Sequence, residues 1–295
     1  MPTLFKPQIT RISFHRPIFY PFFLPLLSPF SLFSVFPQQF SNCWYYDRAL
    51  LIYEEVLGER HPNTATSLNN MGLLLKSMGA YEEVRPYYER ALAIVEEVLG
   101  ERHPDTASSL NNMGGLLYSM GAYEEARPYF ERALLIREKV LGERHPDTAT
   151  SLNNMGLLLK SMGAYEEAWP YYERALAIVE EVLGEKHPDT AGSLNNMGAL
   201  LRSMGSYEEA RPYYDRALLI REEVLGQRHP YTAISLNNMG YLLESMGEYE
   251  EARPYYQKSL AIFQEVLGPD HPSTKTVREN LEYFNEQHPP SEADK

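Results

Sequence analysis

The chain of 295 residues has one cysteine, Cys43, so no intrachain disulfide can form. No Asn-x-Ser/Thr acceptor occurs either, and both absences fit a reducing, cytoplasmic compartment. Cations are in deficit: 27 Lys and Arg stand against 40 Asp and Glu, a net charge of −13. Nucleic acid and anionic membrane both demand an excess of positive charge, so neither is an expected partner. Catalytic signatures are missing too, with no Gly-rich phosphate loop, no His-Glu-x-x-His and no Gly-x-Ser-x-Gly. The expectation is a protein that is not an enzyme and needs no cofactor or metal.

Acids are absent from residues 1–43, which hold Lys6, Arg11 and Arg16. The stretch "RPIFYPFFLPLLSPFSLFSVFP" is apolar, but Pro17, Pro21, Pro25 and Pro29 would break a spanning helix. The small residues of a signal cleavage site are also poorly represented. This segment reads as a signal, as a cover for the helix after it, or as the product of a truncated gene model.

Beyond it the chain repeats. His-Pro falls at 61–62, 103–104, 145–146, 187–188, 229–230 and 271–272, every 42 residues. Each unit reads as two helices, in the first unit Asn63 to Met78 and Tyr81 to Leu99, with Gly79 capping the first. The pattern predicts an orphan helix at 44–58, five helix pairs over 61–268, a closing helix at 271–287 and a disordered tail at 288–295. An isolated pair cannot bury both of its apolar stripes, whereas stacked pairs can, so the array is a solenoid.

The first helix sorts into three faces at 100° per residue. Ala65, Leu68, Gly72 and Leu75 form one stripe; Ser67, Met71, Leu74 and Met78 form a second. In the last unit the first stripe turns polar, with Lys275, Arg278, Glu282 and Asn285, while Val277, Leu281 and Phe284 keep the second apolar. The first stripe therefore packs on the unit's own second helix and the second stripe on the preceding unit. The last helix is a solvating cap.

The third face is left to line the concave side. It carries the pairs Asn69–Asn70, Asn111–Asn112, Asn153–Asn154, Asn195–Asn196 and Asn237–Asn238. Side-chain amides both donate and accept, so a row of them can satisfy the backbone of an extended peptide of any sequence. Alternatively, one of each pair bonds between neighbouring helices. Around them Lys76, Lys160 and Arg202 form a cationic lane with Tyr118 between, and Tyr231, Ile234, Tyr241 and Tyr283 form an aromatic patch. Both suit a segment with acidic residues and an apolar anchor.

One histidine per unit cannot converge on a metal ion; the expected place of His-Pro is the helix entrance, with proline as the first helical residue. The Glu-Glu pairs at 82–83, 124–125, 166–167, 208–209 and 250–251 sit in first turns, where the helix dipole favours acids.

Gly72, Gly79, Tyr81, Tyr88 and Ala91, the 42-residue period, the "LGxxHPDTA" linker and "YEEAxPYYxRAL" resemble the tetratricopeptide repeat of the kinesin light chain type, from Trp44 to Gln287. The resemblance implies an all-α right-handed superhelical solenoid whose helix-lining asparagines serve peptide binding, matched here by Asn70, Asn112, Asn154, Asn196 and Asn238. It also implies acidic, aromatic-containing peptide partners. The leading expectation is an adaptor or scaffold that binds an extended segment. The alternative is a regulatory array detached from a larger NTPase or signalling protein, or one that self-associates through its uncapped first helix.

Overall fold

The computed structural model describes the backbone of residues 38–289 and the side chains of residues 44–289. The expectations placed on residues 1–37 and 290–295 lie outside the described residues. Contacts divide the chain at Tyr45/Tyr46, and the repeat array is the second unit.

Among the described residues there are twelve α-helices and no strand. They are α1 Gln38–Leu57, α2 Pro62–Ser77, α3 Tyr81–Val98, α4 Pro104–Ser119, α5 Tyr123–Val140 and α6 Pro146–Ser161. The rest are α7 Tyr165–Leu183, α8 Pro188–Ser203, α9 Tyr207–Leu225, α10 Pro230–Met246, α11 Tyr249–Leu267 and α12 Pro272–Gln287. Helix α1 starts at Gln38 rather than residue 44. Gln38–Cys43 contains no residue that stops a helix.

Each linker is built the same way. His61 Nδ1 accepts from the Asn63 backbone N–H at 3.1 Å, Pro62 opens α2, and Thr64 Oγ1 donates to the Gly58 carbonyl at 2.9 Å. The threonine bond recurs at Thr106, Thr148, Thr190 and Thr232. Histidine thus caps each first helix, as the His-Pro spacing predicts. Gly79 (φ 78°) and Gly100 (φ 95°) turn the chain within and between units, where a side chain would be strained.

The pair is locked by a glycine under an aromatic ring. A Cβ on Gly156 would lie 2.7 Å from the Tyr172 ring, and Gly114 and Phe130 repeat the arrangement. The rings are buried, and so are Ala65, Leu68 and their equivalents on the stripe that faces the partner helix. Met71 and its equivalents bury the other stripe at the joint between units. From α3 onward each second helix then packs on the next unit's first helix, and the first helices from α2 to α10 also touch in succession.

Second helices are tied across the outer surface by ion pairs: Arg90–Glu54, Arg132–Glu96, Arg174–Glu138 and Arg216–Glu180, at 2.5–2.8 Å. Being partly exposed, each contributes well under about 1 kcal/mol. Helix α12 closes the stack with Val277 and Phe284 buried and Lys275 and Glu282 exposed. The result is a right-handed solenoid of antiparallel helix pairs. No helix among the described residues is long and apolar enough to cross a membrane.

Candidate functional site in the inner groove

The open face of the first helices lines the groove, and there the asparagine pairs divide their labour. The first member faces forward: Asn69, Asn111, Asn153 and Asn195 donate to Oγ of Ser109, Ser151, Ser193 and Ser235 at 3.0–3.1 Å. All four serines are almost completely buried. The second member reaches back: Asn154, Asn196 and Asn238 donate to Oδ1 of Asn111, Asn153 and Asn195 at 3.2–3.3 Å. The result is a ladder of seven hydrogen bonds along the joints, each contributing about 1 kcal/mol. Asn237 finds no serine ahead, because Val277 stands there, and its Oδ1 is buried without a partner.

The ladder leaves the second members half free. Asn154 and Asn196 each spend one N–H and keep a carbonyl oxygen and another N–H. Both line cavities, and so does Asn112.

Four cavities succeed one another along this face. The first, about 570 Å³, gathers Lys76, Asn111, Asn112, Tyr118, Asn154 and Arg137, with room created by Gly115. The second, about 360 Å³, joins Asn153, Asn154, Asn196, Tyr231 and Arg221. The third, about 510 Å³, holds Arg202, Tyr241, Glu244, Tyr249, Tyr283 and His288. The fourth, about 330 Å³, is more apolar, with Ile234, Asn237, Phe263 and Val277. The aromatic patch read from the sequence is therefore split: Tyr241 and Tyr283 share one cavity, and Tyr231 belongs to another. Lys160, Asn69, Asn70, Asn195 and Asn238 line none of the four.

The cationic lane is partly occupied by its own surroundings. Lys76 Nζ donates to the Gly115 carbonyl at 2.8 Å, and the Tyr118 hydroxyl bonds Ser161 Oγ at 2.9 Å. The Arg202 guanidinium lies over the Tyr241 ring, 5.3 Å from its centroid. Burial lowers the ammonium pKa of Lys76. For Lys160, burial and then the charge of Arg202 act in the same direction.

Two arginines outside the expected set stand buried in the groove. Arg137 Nη1 donates to the Asp147 carbonyl (2.8 Å) and Ser151 Oγ (3.0 Å), and Nη2 to Ser108 Oγ (3.3 Å). Arg221 Nη1 donates to the Tyr231 carbonyl and Ser235 Oγ, both at 2.9 Å, and its Nε is buried without an acceptor. Both are only 7% exposed. No carboxylate among the described residues forms an ion pair with either. Burial lowers Arg137 below the ordinary guanidinium range and brings Arg221 down to about 10. The signal for them was in the repeat: the register that holds Val95, Val179 and Phe263 holds Arg137 and Arg221 in alternate units.

A stack of similar antiparallel helix pairs, open along one face of its first helices, is an α-solenoid repeat protein. The tetratricopeptide repeat model matches residues 45–97, 69–134, 105–181, 161–200, 189–257 and 231–282. The chain belongs to the tetratricopeptide repeat family. Among curated proteins none matches it. Among solved structures it is similar to BtubC (BKLC) from P. vanneervenii, at 22% identity over 87% of this chain and 96% of that one, TM-score 0.60. A Podosopora anserina chain assigned as a kinesin light chain, with nearly identical TPR-like repeats, is 22% identical over 70% and 97%, TM-score 0.56. The Rap protein complexed with Competence and Sporulation Factor is 18% identical over 85% and 71%, TM-score 0.60. The resemblance to kinesin light chain repeats thus holds at the level of fold.

Proposed function

We propose that this chain is a non-enzymatic, cytoplasmic interaction scaffold that holds an extended acidic protein segment in its inner groove. The carrying observation is the pair Arg137 and Arg221, buried in groove cavities with no carboxylate among the described residues in ion-pair contact. A buried, unpaired charge costs several kcal/mol, which an incoming carboxylate with bidentate geometry would offset. Their hydrogen bonds to serine hydroxyls and carbonyls hold each fork in place with no carboxylate in ion-pair contact among the described residues; Asp147 acts on Arg137 only from longer range. Asn112, Asn154 and Asn196 supply donors and acceptors for the segment's backbone, and the cavity of Tyr241 and Tyr283 takes an apolar anchor. That the fold of the Rap protein is solved in complex with a bound factor supports a ligand-holding role. The test is calorimetric titration with a twelve-residue peptide rich in Glu and Asp around one Trp, beside the same peptide with Lys for each acid. Binding of the acidic form alone, weakening as salt rises, supports the reading; equal binding of both sinks it.

A second reading rests on α1. Tyr46 and Ile52 occupy the register of Tyr88 and Ile94, yet are 39% and 47% exposed against 0% and 5%. No first-type helix covers them among the described residues, which favours self-association there. Sedimentation velocity of the chain beside Ile52→Asp decides it: concentration-dependent oligomers that the variant abolishes support it, and a monomer throughout ends it.

A further inference from the structure

The first groove cavity, about 570 Å³, differs from its neighbours in charge. Lys76 and Arg137 line it, and no carboxylate does. The cavity of Arg221 also takes in Asp147 and Asp189, and that of Arg202 takes in Glu244. The more apolar fourth cavity has no charged residue in its walls. Gly115 makes the space: its register holds Leu73, Leu157, Ala199 and Tyr241 in the other units. A Cβ on Gly115 would lie 3.2 Å from Lys76 Nζ, so the missing side chain also admits the ammonium.

Donors to spare surround that space. Lys76 Nζ gives one N–H to the Gly115 carbonyl and keeps two. Arg137 Nη2 gives one to Ser108 Oγ and keeps the other. Tyr88 lines the cavity too, and its buried hydroxyl has no hydrogen-bond partner among the described residues. The matching hydroxyl of Tyr256 donates to Glu244, whereas the register of Glu244 holds Lys76 here, and an ammonium cannot accept. Tyr172 and Lys160 repeat this two units on, but neither lines any of the four cavities. Asn112 and Asn154 share the walls with these donors, so a segment held by those amides passes close to the cations. The reach from its backbone is then short, which suits serine with its single methylene.

We propose that this cavity takes a phosphorylated serine of the bound segment, its phosphoryl oxygens accepting from Lys76 Nζ, Arg137 Nη2 and the Tyr88 hydroxyl. The inference rests on the acidic-segment reading above and names the anion that fits this one cavity. A phosphoserine carries a charge of about −1.5 to −2 and three strong acceptor oxygens. That matches two cations and three donor groups, where a carboxylate brings one charge and two oxygens.

The test titrates the full chain with the acidic Trp peptide and with a series in which each acid in turn becomes phosphoserine. One position should gain at least about tenfold in affinity over the parent peptide. Gly115→Leu, the residue of Leu73 and Leu157, should abolish that gain by filling the space, and Lys76→Met should abolish it by removing a cation. Tyr88→Phe, the residue of Phe130, should reduce it about threefold or more. Circular dichroism checks that each variant keeps its helicity. If no phosphoserine peptide outbinds the parent, the proposal falls, and the parent's own affinity still decides the acidic-segment reading. A gain that survives Gly115→Leu in a folded chain places the phosphate elsewhere and overturns the proposal. If inorganic phosphate binds as tightly as the phosphopeptide, the ligand is a free anion and the proposal falls. If the parent peptide does not bind but one phosphoserine form does, the carboxylate reading fails and the phosphate site stands. Binding by none of them ends both.

Discussion

The Asn153 side-chain amide donates to Ser193 Oγ over 3.1 Å, joining the first helices of two successive units. The same Asn153 accepts from Asn196 at 3.2 Å, so one side chain closes the joint in both directions. Asn153→Ala should cost about 1–3 kcal/mol, because it strands the buried Ser193 hydroxyl and the Asn196 amide. Asn112→Ala, with no side-chain hydrogen bond to lose among the described residues, should stay within about 0.5 kcal/mol of the parent. Urea unfolding midpoints of the two variants check the contrast.

Gly156 faces Tyr172 so closely that an added methyl would sit 2.7 Å from the ring. Gly156→Ala should destabilise the array by about 1–3 kcal/mol through overpacking. Gly156→Ala/Tyr172→Leu should regain part of the loss, read by the same unfolding measurement.

The buried arginines predict a small effect on stability and a clear one on binding. Arg221→Val installs the residue that Val179 supplies one unit earlier. It should lower stability by no more than about 1 kcal/mol or raise it, since an uncompensated buried charge disappears. Thermal unfolding reads the first effect and titration with acidic peptide the second, which should be a loss.

Alkaline pH should weaken the fold. Burial holds Tyr88 and Tyr214 up to about 12, and it raises Tyr172 and Tyr256 as well. An unfolded tyrosine ionises near about 10. Their contribution is fully present below about pH 10 and is lost as pH rises through about 12. Arg221 works the other way: its folded value of about 10 lies below the ordinary guanidinium value, so it restores stability over the same window. Four tyrosines outweigh it. The urea midpoint should therefore fall above about pH 10, with tyrosinate absorbance rising in step with unfolding. Tyr88→Phe/Tyr214→Phe should flatten the fall.

Much of the architecture is legible in the residues because it rests on local chemistry repeated without interruption. The His-Pro entrance, the capping glycines and the polar switch at Lys275, Arg278 and Glu282 each state a backbone or burial requirement that the structure meets. The groove was harder to read. Asn69 and Asn70 are identical side chains one residue apart, and only the 100° turn between them, together with a serine 40 residues on, decides which one closes the joint. Sequence patterning ranks Ser109 as a small residue on a packing face and is silent on its hydroxyl. Arg137 and Arg221 escaped for a related reason: they lie on the second helix, whereas the asparagine pattern marks the first. The bonds of Lys76 to Gly115 and of Tyr118 to Ser161 depend on distances between units that no periodicity supplies.

The central claim is that the guanidinium groups of Arg137 and Arg221, with no carboxylate in ion-pair contact among the described residues, read acidic side chains in the groove. Its most direct test is the affinity of the acidic Trp peptide for the chain and for Arg137→Val/Arg221→Val, with circular dichroism confirming unchanged helicity. A loss of at least about tenfold, together with loss of the salt dependence, is the predicted result. A double variant that folds normally and binds the peptide as tightly as the parent would contradict it.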